Sequence, residues 1–273
     1  MNKIALIQQF AADDRAANLA TAIRSTREAA QNGARLVCFP ELAFDRFYPA
    51  EPAGADRDNL AEPITGPTTK AFQTLARELN IVVILNFLEI DGERTYDTSP
   101  VIDADGTLLG KTRMVHVPDY PCFHEKSYYT PGDQGARVYK TAIGKVAVAI
   151  CYDRHYPEFM RALAVAGAEL VVTPQAGATG EWPEGLFEAE MRVAAFQNGY
   201  FTALCNRVGK EPRMDFAGES FVCNPAGIVI ARAGQGTEEI LYCEVDFAEV
   251  EKSHARRMFL ADRRPELYAD WVN

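Results

Sequence analysis

Two periodicities alternate along this chain, and the switches between them outline its elements. Residues 4–8 form an apolar run of strand length. Asp13-Asp14 then offers N-cap side chains to a helix with Leu19, Ala22, Ile23, Thr26 and Ala30 on one face, closed by Gly33. Residues 36–39 predict a second buried strand that ends in Pro40-Glu41, and a Pro-, Ala- and Asp-rich loop spans 44–63. Gly66-Pro67-Thr68 starts a helix with Phe72, Leu75, Ala76 and Leu79 at helical spacing, before an apolar strand over 81–88. Residues 100–102 and 108–117 read as a hairpin turning at Ala104-Asp105-Gly106. A loop rich in aromatic residues over 118–133 leads to a strand over 145–151. Further strands are predicted at 170–173, 200–207, 221–224, 228–231 and 240–245, with helices at 157–166 and 184–197.

Strands alternating with helices predict an α/β fold, and the hairpins make its sheet mixed. There is no solenoid repeat and no linker, so the pattern predicts one domain over 1–273. Its charged tail, 247–273, carries Met258, Phe259, Leu267, Tyr268 and Trp271, which are expected to pack on the body or on a partner subunit.

Composition narrows the function. A net charge of −10 leaves no basic face for nucleic acid, and the longest apolar runs are far short of a membrane span. The amino terminus turns polar at Gln8-Gln9, so it reads as a first strand and not as a signal peptide. Six cysteines without a CxxC pair fit neither a zinc framework nor a disulfide scaffold, which favours a reducing cytoplasm. The four histidines show no ligand spacing, so neither metal nor other cofactor is expected.

Three segments deliver reactive groups. Glu41 follows the 36–39 strand, Cys151 follows the run Val146–Ile150, and Glu125 lies in the aromatic loop between them. A thiol with an ordinary pKa of ~8.5 needs a base at neutral pH, and a carboxylate in a water-poor pocket can take its proton. That combination points to acyl transfer through a thioester.

The motifs Phe39-Pro40-Glu41-Leu42, Val101-Ile102-Asp103-Ala104-Asp105-Gly106 with Gly110-Lys111, Glu125 to Asp133, and Ile150-Cys151-Tyr152-Asp153-Arg154-His155-Tyr156-Pro157-Glu158 resemble the nitrilase superfamily of carbon–nitrogen hydrolases. The resemblance runs from the first strand to Phe221-Val222-Cys223-Asn224-Pro225. It implies a four-layer α-β-β-α sandwich with two mixed sheets and a homodimer or larger assembly. It also implies Glu41 as general base, Cys151 as nucleophile and Glu125 as a positioning glutamate.

One position departs from the pattern. The family's catalytic lysine falls at Met114 in Thr112-Arg113-Met114-Val115-His116. Lys111 sits on the other face of an alternating strand, and a one-residue slip would invert every side chain. Three explanations compete: another cation (His116, His124 or Arg113) enters the site, the protein has become a weak enzyme or binding protein, or the methionine is an introduced substitution. The backbone N–H of Tyr152 remains as an oxyanion donor in each case. Arg154 and His155 after the nucleophile, with Asn206-Arg207-Val208-Gly209, look most like N-carbamoyl-amino-acid and β-ureidopropionate amidohydrolases. Arg154 would then clamp a carboxylate of a small anionic substrate. Nitrilase and carbamoyl-polyamine amidase activities are the alternatives on the same fold.

Overall fold

The computed structural model describes residues 1–55, 57–268 and 270–271; Ala269, Val272 and Asn273 of the predicted tail lie outside them. Two mixed sheets stack face to face. The first contains β1 (Asn2–Gln8), β2 (Leu36–Cys38), β3 (Val82–Ile84), β4 (Phe87–Asp91), β5 (Arg94–Ile102) and β6 (Leu108–Arg113). The second contains β7 (Val138–Thr141), β8 (Gly144–Val148), β9 (Leu170–Gln175) and β10 (Phe201–Asn206). The short pair β11 (Val208–Lys210) and β12 (Asp215–Ala217) stands apart. β13 (Phe221–Cys223) and β14 (Val229–Arg232) extend the second sheet, and β15 (Glu239–Val245) returns to the first. The strand orders are β15-β1-β2-β3-β5-β4, with β6 on β5, and β14-β13-β10-β9-β8-β7. Each sheet is built on three parallel strands, β1-β2-β3 and β9 flanked by β8 and β10, with antiparallel neighbours outside them.

Period-two alternation sorts these strands into layers. Ile4, Leu6, Leu36 and Cys38 of the first sheet meet Val146, Val148, Leu170, Val172 and Phe201 of the second in one buried core. The residues between them, Ala5, Ile7, Val37 and Val83, face outward onto α1 (Arg15–Gln31) and α2 (Pro67–Leu79), where Ala22, Ala29, Phe72 and Leu75 cover them. Ala147 and Val171 of the second sheet likewise meet Phe159, Met160 and Leu163 of α3 (Pro157–Val165) and Ala194 of α4 (Leu186–Asn198). The result is the four-layer sandwich implied by the motifs. Tail residue Phe247 joins the inter-sheet core, and Arg256 donates to the carbonyls of Gly199, Ala164 and Ala168.

Several boundaries differ from the hydrophobic pattern. The run over 81–88 is broken between β3 and β4 by Leu85-Asn86, because the Asn86 amide is committed to tertiary bonds. Its Oδ1 accepts from Leu42 N at 2.8 Å, and its Nδ2 donates to Asp97 Oδ1 at 2.5 Å and Ser99 Oγ at 3.1 Å. The predicted strand over 108–117 stops at Arg113, since the N–H groups of Val115 and His116 donate to the Asp153 carboxylate instead of a neighbouring strand. β7 lies outside the hydrophobic pattern because Lys140 and Thr141 dilute its apolar character.

Candidate active site

Cys151 stands where β8 has ended and a 3-10 turn, Cys151–His155, begins. Its φ of 40° lies in the left-handed region, an unfavourable conformation for a residue with a side chain and one that concentrates at functional sites. The thiol is 4% exposed. Gln175 at the end of β9 donates from Nε2 to Sγ at 3.2 Å. The Arg154 guanidinium fixes that amide by donating to Gln175 Oε1 and the Cys151 carbonyl, both at 2.9 Å.

Glu41 leaves the end of β2 through Pro40, and its loop is held open by two buried side chains. Leu42 has φ 48°, stabilised by the bond from its N–H to Asn86. Arg207 donates to the carbonyls of Glu41 (3.0 Å), Leu42 and Asp45 (2.9 Å), and pairs with Glu211 at 2.6 Å. Glu125 opens a 3-10 turn, Glu125–Ser127, whose carbonyl accepts from the N–H groups of Tyr128 and Tyr129. Both glutamates are fully buried, and among the described residues no N–H or hydroxyl group donates to either carboxyl, whose neighbours are other acids and the Cys151 thiol.

Asp97 joins them. Glu41, Asp97 and Glu125 bring one carboxyl oxygen each within 4.8 Å of one another, a spacing that a cation would accept. Burial, then the Glu125 charge, pushes the Glu41 carboxyl up to about 8. Burial likewise holds Glu125 well above the ordinary carboxyl range, with the negative charge of Asp97 adding to it. Burial and the charges of Glu41 and Glu125 push the Cys151 thiol up, with Arg154 opposing them. The resting site is therefore a thiol among largely protonated acids.

The three cations considered as replacements for lysine do not enter this group. Arg113 turns to the far face of the sheet, where its Nε and Nη2 donate to Glu89 at 2.9 Å each, and Lys111 pairs with the same carboxylate. His116 bonds Asp153 through Nδ1 at 2.8 Å and stacks on Tyr156 with ring centroids 3.5 Å apart. His124 faces Asp119 at 3.6 Å. Met114 itself is buried, 1% exposed, in the same hydrophobic core that includes Cys151.

The remaining predicted contacts divide. Tyr152 packs near Tyr120, with centroids 6.4 Å apart, and near His155 at 5.0 Å. At Arg154, where a carboxylate clamp was expected, the side chain is 1% exposed: Nη1 donates to Cys151 O and Gln175 Oε1, Nε pairs with Glu190 at 3.3 Å, and Nη2 has no hydrogen-bond partner. His155 Nδ1 is bonded to Glu190 at 2.6 Å, and its ring lies 5.2 Å from that of Trp182. Sequence reasoning missed Asp97, Gln175 and Glu181. Gln175 ends the strand beside the one leading to Cys151, the same strand-end signal that singled out Glu41. Glu181 lies on the loop before α4. It accepts from Tyr120 Oη at 2.7 Å and Ala178 N at 3.1 Å, and its charge acts on both Cys151 and Glu125.

This arrangement agrees with what the chain is similar to. Residues 3–255 match the carbon–nitrogen hydrolase family model. The chain is 35% identical over 279 residues to an N-carbamoylputrescine amidase of Solanum tuberosum, covering 97% of this chain and 93% of that protein. The crystal structure of a carbon–nitrogen hydrolase from Helicobacter pylori G27 superposes with a TM-score of 0.93 at 29% identity, covering 100% of this chain and 98% of that one. A mutant of the amidase from Nesterenkonia sp. AN1 shows covalent addition of the acetamide moiety of fluoroacetamide at its active-site cysteine. It superposes with a TM-score of 0.84 at 26% identity, covering 99% of this chain and 97% of that one. The chain belongs to the carbon–nitrogen hydrolase family of the nitrilase superfamily and is a nitrilase-type amidohydrolase.

Proposed function

We propose that this enzyme hydrolyses the terminal carbamoyl or amide group of a small molecule whose far end is cationic or neutral, through a thioester on Cys151. The observation that carries the chemistry is the buried trio: a thiol at a left-handed strand end, with the Glu41 and Glu125 carboxyls facing it from two other segments. The ionised form of Glu41 takes the thiol proton as sulfur attacks the carbonyl carbon. The carbonyl oxygen becomes an oxyanion beside the Tyr152 N–H, and Glu41 returns the proton to the departing nitrogen. Water activated by the same carboxylate then cleaves the thioester. Glu125 holds the nitrogen of the scissile group.

The substrate's polarity follows from what surrounds the thiol. Arg154 is committed internally, whereas the Glu181 carboxylate stands at the rim with Tyr120 and Trp182, whose rings lie 6.0 Å apart. An acidic and aromatic rim favours an ammonium group over a carboxylate. This replaces the anionic substrate expected from Arg154 and takes up the carbamoyl-polyamine alternative, in keeping with the relative named above. The homodimer or larger assembly and the cytoplasmic setting belong to the same proposal. All six cysteines are free, and no helix of the described residues is long and apolar enough to cross a membrane.

The test compares kcat/KM for N-carbamoylputrescine and N-carbamoyl-β-alanine. The proposal expects at least about a tenfold preference for the cation, which shrinks in Glu181→Gln mainly through KM. A preference for the anion in the parent enzyme overturns the assignment of the rim.

A further inference from the structure

Glu41, Asp97 and Glu125 crowd three acids into one dry space, each at most 1% exposed. Among the described residues, the side-chain cations nearest this space are committed elsewhere. Arg207 is bonded to main-chain carbonyls and Glu211, Arg154 to Gln175 and Glu190, Lys111 and Arg113 to Glu89, and His116 to Asp153. Three carboxyls so placed cannot all ionise, so the space retains at least one proton, and a protonated carboxyl becomes a donor where a carboxylate only accepts.

The strand register says where that donor sits. β5 and β6 pair Thr98 with Arg113, so the next positions, Asp97 and Met114, lie opposite one another, with Met114 N donating to Asp97 O at 3.0 Å. Paired residues share a face. Thr98 and Arg113 both reach Glu89 on one side of the sheet, which puts the Asp97 carboxyl and the Met114 side chain together on the other, toward the site. The carboxyl therefore stands beside the position where the family carries its lysine. Asp97 Oδ1 already accepts from Asn86 Nδ2 at 2.5 Å, while Oδ2 is buried without a partner and has Glu41 as its neighbour.

We propose that Asp97, held as the neutral acid, is a positioning residue that substitutes for the absent lysine: its Oδ2–H donates to Glu41 and stabilises the ionised, base-competent form of that carboxyl relative to the protonated one. The inference rests on Glu41 acting as the base for Cys151. The Asp97 proton stays on Asp97 throughout. Glu41 alone takes the thiol proton and gives it to the leaving nitrogen, so Asp97 ends the cycle as it began. The groups facing Asp97 are Glu41, Glu125, Asp153, Tyr48 and Tyr129, all acids, with Cys151 beyond Glu41. Burial, followed by the charge of Glu41, keeps the Asp97 proton on far above the ordinary aspartate range, while the bond from Asp97 eases Glu41 downward.

Asp97→Asn and Asp97→Ala separate this role from a structural one. The asparagine keeps a donor that no alkali can remove. It is expected to retain kcat within about tenfold of the parent at neutral pH, with the alkaline limb of its pH–rate profile moved upward or lost. The alanine removes the donor, so the acid limb, which reports Glu41, is expected to move to higher pH. Infrared spectra supply a readout that needs no turnover: a protonated-carboxyl C=O band in the parent at pH 7 that disappears in Asp97→Asn, with both proteins folded by circular dichroism. Absence of that band overturns the proposal, as do pH limbs that coincide in all three proteins. Loss of parent activity on treatment with a chelator, restored by a divalent metal, also overturns it, since the three acids would then be ligands. If Cys151→Ala keeps turnover, the function proposed above fails, whereas the infrared band still decides the state of Asp97.

Discussion

Replacing Glu41 with glutamine is expected to lower kcat by about 10²–10⁴-fold, the usual worth of a general base, while making the folded protein more stable at alkaline pH. The two effects have one cause. Glu41 is fully buried beside other acids, and its carboxyl is pushed up to about 8. In the unfolded chain it returns to its ordinary value near 4.5. Between those two values the folded state binds a proton that the unfolded state has released, so stability falls as pH rises. The contribution of Glu41 is thus fully present below its unfolded value and is lost as pH climbs through about 8. Linkage places the loss at up to about 5 kcal/mol. Glutamine does not titrate and escapes this loss. Melting curves of parent and Glu41→Gln should coincide near pH 4.5 and separate by several degrees, variant above parent, by pH 8.5. A variant that loses activity without this divergence in stability at alkaline pH would place the acid of raised pKa elsewhere.

Arg207→Met is expected to cost about 3–5 kcal/mol of folding stability, the range for breaking a buried charged pair from one side. Arg207 is 1% exposed and the largest fully buried side chain among the described residues. It holds three carbonyls of the loop that presents Glu41, stands 5.0 Å over the Phe216 ring, and neutralises Glu211, which also accepts from Phe47 N at 2.9 Å. Methionine fills similar space but leaves the carbonyls unpaired and the Glu211 carboxylate buried without its cation. Arg207→Lys keeps the charge but cannot span three carbonyls with one ammonium, so it should recover only part of the loss. Urea unfolding measures both. A midpoint for Arg207→Met within error of the parent would show that Leu42 holds its left-handed conformation without the clamp.

The fold was legible wherever burial imposed a period. The central strands and the amphipathic helices announced themselves because one face of each is apolar, and the motifs ending in Glu41, Glu125 and Cys151 supplied the sandwich. What stayed hidden depends on pairing across the chain. Asn86 looked like one polar residue in an apolar run, and only its bonds to Leu42 N and Asp97 explain why the strand breaks there. Asp97 lies in a polar stretch, Arg94–Ser99, that gives no strand signal, yet every residue from Thr95 onward in β5 is buried. In the sequence alone Arg154 looks like a substrate ligand because it follows the nucleophile. Its commitment to Gln175 and Glu190 arises from β9 and α4, which sequence spacing does not connect to it.

The central claim is that Cys151 carries the acyl group, and the most direct test is to catch it there. Parent enzyme turning over N-carbamoylputrescine is quenched in acid within milliseconds and its intact mass measured, with proteolysis to locate any added group. The account predicts a carbamoyl adduct on the peptide bearing Cys151, more populated in Glu41→Gln if deacylation is slowed, and absent from Cys151→Ala, which should show no turnover. Turnover in Cys151→Ala, or an adduct confined to another residue, would contradict it.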